Sequence, residues 1–131
     1  MASEAGPLGI HILAELYGVS PLLLDDEDWI SRHMQAAAAA AGATVLGAHF
    51  HRFSPQGVTG VVVIQESHLT IHTWPEYGYA AVDIFTCGAD IHPWRAYEYL
   101  REAMNTDQAS AQAYTRGQLP RHHNPVSGPV I

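Results

Sequence analysis

The run from Val58 to Cys87, VTGVVVIQESHLTIHTWPEYGYAAVDIFTC, constrains the fold of this chain more than any other feature. Its β-branched and aromatic residues suit a pleated, half-buried surface and lose χ1 freedom in a helix. Strands in globular domains are far shorter than this run, so it must fold back on itself. Pro75-Glu76-Tyr77-Gly78 reads as a turn, and polar Glu66 separates VTGVVVIQ from SHLTIHTW. Three consecutive antiparallel strands follow.

The flanks complete the pattern. Upstream, GIHILAELYG (9–18) reads as a strand and PLLLDDEDWISRHMQAAAAAAG (21–42) as a helix. ATVLGAHFHRF (43–53) is another strand, closed by the turn SPQG. Asp25 to Asp28 supply negative charge for the helix start, and Gly42 supplies its stop. The alanines 36–41 are strong helix formers suited to close packing on a sheet. Downstream, Asp90 and Pro93 open a second helix, PWRAYEYLREAMN, and ASAQAYTR adds a last strand. The proline- and glycine-rich tail from Gly117 is expected to be irregular and mobile. The order β-α-β-β-β-β-α-β predicts an α+β fold, a two-layer sandwich with helices on one face of a mainly antiparallel sheet.

Composition narrows the class. At 131 residues the chain is expected to form one domain, 1–131. A formal net charge of −7 argues against sequence-independent nucleic-acid binding, and no apolar run is long enough to span a membrane. The opening MASEAGPLG lacks the pattern of a signal peptide. A single cysteine, Cys87, suits a reducing, cytoplasmic setting. Lysine is absent, and the six basic residues are all arginine. Imine chemistry through a lysine amine is therefore closed to this chain. If it handles amines through an imine, the carbonyl must belong to the protein.

Several residues carry possible chemistry, each with an ordinary alternative. His68 and His72 form H-x-x-x-H, a zinc pattern on a helix. On a strand they stand roughly 13 Å apart, too far to chelate one ion. His49 and His51 are about 7 Å apart on one strand face, and surface histidines are the simpler reading, so no metal is expected. Ser67 lies between Glu66 and His68 but lacks a nucleophile-elbow motif, so a serine at a bulge competes with a nucleophile. Cys87 before Gly88 is either a small buried hydrophobe or a displayed reactive thiol.

Taken together, ESHLTIHTWPEYGYAAVDIFTCG and the preceding FHRFSPQGVTGVVVI resemble the small prokaryotic S-adenosylmethionine decarboxylases, the pyruvoyl-dependent family of polyamine synthesis. The likeness runs from about Leu8 to Met104. It implies self-cleavage between Glu66 and Ser67, giving a β chain 1–66 and an α chain 67–131. Ser67 Oγ attacks the Glu66 carbonyl; loss of the Ser67 α-proton expels the Glu66 carboxylate, and the dehydroalanine hydrolyses to a pyruvoyl cap. The implied activity is decarboxylation of S-adenosylmethionine to the aminopropyl donor for spermidine, with this covalent pyruvoyl as cofactor. By the same resemblance His72 is the proton acceptor in processing, Thr59 supports it, and Cys87 is the proton donor to the substrate α-carbon. Glu76 binds the ribose hydroxyls and Phe53 stacks on adenine.

The chain departs from its relatives twice. Thr59 replaces the usual serine and predicts slower processing, and Gly9-Ile10-His11 stands where relatives read LGRH. The second departure keeps open an arginine or ornithine decarboxylase of the same fold; an unprocessed binding partner is a non-enzymatic rival. The resemblance implies a homodimer whose pockets draw on both protomers, and a sheet with one uncovered face has reason to associate. Strand parity sets one condition: Ser67 and His72 would face opposite ways on an unbroken strand, so a break is predicted near Glu66–Ser67.

Overall fold

A computed structural model describes residues 6–118. The elements, in order, are β1 (Pro7–Tyr17), α1 (Pro21–Leu24), α2 (Glu27–Ala40), β2 (Val45–Arg52), β3 (Val58–Ile64) and β4 (Ser67–Trp74). A 3-10 turn (Pro75–Tyr77), β5 (Tyr79–Cys87), α3 (Pro93–Ala103) and β6 (Gln108–Gln118) follow. The strands form one six-stranded sheet in the order β2-β3-β4-β5-β1-β6, with every neighbouring pair antiparallel. The predicted α+β two-layer sandwich is what forms.

Alternation explains the layers. Leu69 and Ile71 of β4 and Val82 and Ile84 of β5 are buried beneath the helices, whereas the residues between them turn to the other face. Ile30, Met34, Ala37 and Ala38 of α2 and Ala96 and Leu100 of α3 complete the core. The alanines let α2 lie close to β2, β3 and α3. Leu13, Tyr17, Val63, Trp74 and Tyr114 remain exposed, and each falls at a position of its strand that faces away from the helices.

Four local expectations need correction. The helix read from Pro21 to Gly42 is two helices, because Asp26 leaves helical geometry to cap α2, its carboxylate accepting the Trp29 N–H at 3.0 Å. The second helix is capped by His92 rather than Asp90, with Pro93 at its first turn. That helix ends at Ala103, before Asn105 turns left-handed. Gly117 and Gln118 belong to β6 instead of an irregular tail, since pairing with β1 reaches Pro7↔Gln118. The remainder of that tail lies outside the described residues.

Candidate active site

The chain does break at Glu66. Ile64 pairs with Ser67, which leaves Gln65 and Glu66 as a two-residue hairpin loop. Glu66 has φ 84° and Gln65 is not left-handed. Favoured two-residue hairpins put positive φ at the first loop residue or at both, usually on glycine or asparagine, so a glutamate alone at the second position is a strained choice. Gln65 N–H donates to Thr44 O at 2.9 Å. The Glu66 side chain leans on Gly88, where a Cβ would come within 3.1 Å of Glu66 Oε1. Gly88 is itself left-handed, with φ 97°.

Cys87 ends β5 beside this turn and is half-buried. Gln65, Glu66, Cys87 and Gly88 line one cleft of about 300 Å³. Gly9, opposite Cys87 in β1, is needed as glycine: a Cβ there would meet Phe85 Cε1 at 2.7 Å and Cys87 Sγ at 3.2 Å. The strand end thus brings the Glu66–Ser67 peptide and the thiol together. By parity Ser67 shares the helix side with Leu69, while Cys87 shares the uncovered face with Phe85 and Asp83.

The other predicted residues lie elsewhere. Thr59 and His72 are cross-strand partners, with Thr59 Oγ1 3.1 Å from His72 Nδ1. Phe53 follows β2, exposed, its ring edge-on to His51 at 4.5 Å. Glu76 is exposed in the 3-10 turn after Trp74. β4 runs without interruption from Ser67 to Trp74, so five residue rises put Ser67 about 17 Å from His72, and seven put it about 24 Å from Trp74. Within one protomer the predicted residues therefore fall into two groups: Glu66, Ser67 and Cys87 at one end of β4, and Thr59, His72, Phe53 and Glu76 toward the other.

The uncovered face adds residues that motif reading did not reach. His11 stacks on Phe85 at 5.0 Å, and its Nε2 lies 3.4 Å from Asp83. Arg116 lies 3.0 Å from His11 Nδ1, with its guanidinium 5.4 Å from the Phe85 ring centre. Toward the other end, Tyr79 stacks between Tyr17 and Trp74 and donates a short hydrogen bond to Glu15. Burial, and then the Glu15 bond, push the Tyr79 phenol up to about 12. The signal for the β5 members of both groups was the every-second-residue alternation of positions 79, 81, 83, 85 and 87. Ile10 faces the other way, packed against the core, so the cation lost there is not missing from the Cys87 face.

This arrangement defines the class as an antiparallel sheet roofed by helices on one side, with polar and titratable side chains at its strand ends and on the bare face. The comparisons with known proteins narrow it. The family model described as S-adenosylmethionine decarboxylase matches residues 10–117. The S-adenosylmethionine decarboxylase proenzyme of Fervidobacterium nodosum is 51% identical over 122 residues, covering 93% of this chain and 89% of that protein. The proenzyme of the same name from Clostridium tetani is 56% identical over 110 residues, covering 84% and 87%. The crystal structure of the adenosylmethionine decarboxylase from Aquifex aeolicus superposes with a TM-score of 0.83 at 38% identity, covering 92% of this chain and all of that one. The chain belongs to the S-adenosylmethionine decarboxylase family.

Proposed function

We propose that this chain is a proenzyme that cuts itself between Glu66 and Ser67 and then decarboxylates S-adenosylmethionine. The observation carrying this reading is the Glu66–Ser67 peptide at a left-handed glutamate, sharing a cleft with the only cysteine of a chain that has no lysine. Ser67 Oγ attacks the Glu66 carbonyl, His72 takes the Ser67 α-proton with Thr59 holding its ring, and the Glu66 carboxylate leaves. Hydrolysis with loss of ammonia completes a pyruvoyl end on residue 67. A pyruvoyl group supplies the electron sink for loss of carbon dioxide from an amine-linked substrate. Cys87 then delivers a proton to the substrate α-carbon, while Phe53 stacks on adenine and Glu76 accepts the ribose hydroxyls. Phe53 and Glu76 favour the nucleoside over arginine or ornithine, and no feature of the site favours those two.

The working unit is a homodimer. The two groups of one protomer are farther apart than the substrate is long. Two copies packed bare face to bare face, about a two-fold axis lying between the sheets, would set the partner's His72, Phe53 and Glu76 against the Cys87 end of β4. Ser67, on the helix side, joins them only when the chain at residue 67 turns to the bare face. The exposed apolar residues of that face support this assembly. No described helix is long and apolar enough to cross a membrane, and a cytoplasmic setting is part of the same proposal.

Intact mass tests cleavage: two fragments are expected from the native chain and one uncut chain from Ser67→Ala. Loss of activity on treatment with phenylhydrazine tests for the ketone. A native chain that stays whole overturns the reading. Mixed dimers of Ser67→Ala and His72→Ala test the shared site. The His72→Ala chain should be cut only when paired with Ser67→Ala, and its remaining whole in that pair overturns the shared site.

A further inference from the structure

The junction between α1 and α2 ties together the two segments that carry Phe53 and Glu76. Asp25 Oδ1 accepts the Gly57 N–H at 2.9 Å, and Asp25 Oδ2 accepts from Arg52 Nη2 at 2.7 Å. Arg52 Nε donates to the Asp25 carbonyl at 3.2 Å, and its Nη2 also donates to the Pro55 carbonyl at 3.3 Å. Glu27 accepts the Arg52 backbone N–H at 3.1 Å. The loop between β2 and β3 is thus gripped on both sides of Phe53, whose own N–H donates to Gly57 O at 2.8 Å. One residue earlier, the Leu24 carbonyl accepts the buried Thr73 hydroxyl at 2.7 Å, and that hydroxyl accepts the Val58 N–H at 2.8 Å. Thr73 stands three residues before Glu76.

Gly57 shows how tight the fit is. Its φ is 104°, and a Cβ there would lie 3.2 Å from the Thr73 carbonyl. The loop can pass the end of β4 only with a bare backbone at this point. Asp25 supplies its N–H with the acceptor that the sheet no longer provides, and an unpaired donor in so close a passage is costly.

We infer that Asp25, with Arg52, is a positioning pair that holds Phe53 in register with Glu76 and so sets affinity for the nucleoside half of the substrate. This rests on the proposed roles of Phe53 and Glu76. Neither Asp25 nor Arg52 touches the reacting atoms, which lie at the far end of β4. The pair should govern KM and leave self-cleavage alone.

Steady-state kinetics on the processed dimer test it. Asp25→Asn keeps the shape but turns an NH2 toward Arg52, and the expected result is a KM for S-adenosylmethionine raised about three- to tenfold. The kcat should stay within about twofold, and both fragments should form at the native rate. Arg52→Lys, which loses the fork to Asp25 and Pro55, should give a smaller rise in the same direction. In a Phe53→Ala background Asp25→Asn should add little, because the ring it positions is gone. Unchanged KM in both variants, with KM raised by Phe53→Ala alone, overturns the inference and leaves the Phe53 reading standing. Unchanged KM in Phe53→Ala overturns that reading and the inference with it. Slowed cleavage or a fallen kcat in Arg52→Lys shows a general folding role and also overturns it.

Discussion

The two ends of β4 are built differently. At the Ser67 end the chain reverses through a glutamate in a left-handed conformation, and among the described residues the Ser67 hydroxyl and the Cys87 thiol make no hydrogen bond. At the Trp74 end the neighbouring loop and turn are held by Asp25, Arg52 and Thr73 through a connected set of hydrogen bonds. One end carries strain and side chains without hydrogen bonds, and the other carries anchorage. Bond breaking gains from a destabilised ground state, whereas recognition of a rigid nucleoside gains from pre-organisation.

Removing one group from each end should have opposite kinetic effects. Cys87→Ala in the processed enzyme should lower kcat by about 10²- to 10⁴-fold, the usual worth of a positioned proton donor, with KM little changed. Phe53→Ala should instead raise KM by about tenfold, from loss of a stacked aromatic surface, with kcat nearly kept. Should Cys87→Ala act mainly on KM, or Phe53→Ala mainly on kcat, the division between the two ends is wrong.

Strain at the Ser67 end allows a finer test. Glycine enters the left-handed region without penalty, and alanine does not. Glu66→Gly should slow self-cleavage on the order of tenfold relative to Glu66→Ala, because it relaxes a conformation costing about 1–3 kcal/mol. Both variants lack the carboxylate, so its loss cancels between them. A mass-spectrometric time course of cleavage reads the difference, and equal rates would show that the turn stores nothing the reaction uses.

Much of the Ser67 end was legible in the sequence. β-Branched alternation gives the strands, and the expected break falls at Glu66. It precedes Ser67, however, so Ser67 and His72 still face opposite ways on an unbroken β4, and the parity conflict stands within one protomer. The strain there was not legible, because glutamate is no turn signal; only the register Ile64↔Ser67 forces it left-handed. The Trp74 end was harder to read. Asp25 looks like one acid in a run suited to a helix start, and its link to Gly57, thirty-two residues away, has no local signature. The separation of Ser67 from Phe53 and Glu76 follows from strand length, which motif matching ignores. Splitting the predicted first helix in two turns on Asp26, whose side chain bonds the backbone in competition with continued helix.

The smallest effect expected is a pH dependence at the anchored end. The Arg52 guanidinium, and then the Gly57 N–H, hold the Asp25 carboxyl below the usual carboxylate range. A carboxyl whose folded pKa is depressed stabilises the fold fully above its unfolded value, and that contribution is lost as pH falls through the folded value. Asp25→Asn should therefore lower Tm most near pH 7, and the gap to the native chain should close as pH drops through and below the ordinary carboxylate range. Because the pair is partly exposed, with 28% of the Asp25 and 44% of the Arg52 side chain accessible, the gap near pH 7 should be only about 2–4 °C. Molar salt should narrow it further at pH 7. A gap that stays constant from pH 7 to pH 3 would mean that the packing of residue 25, and not its charge, anchors the loop.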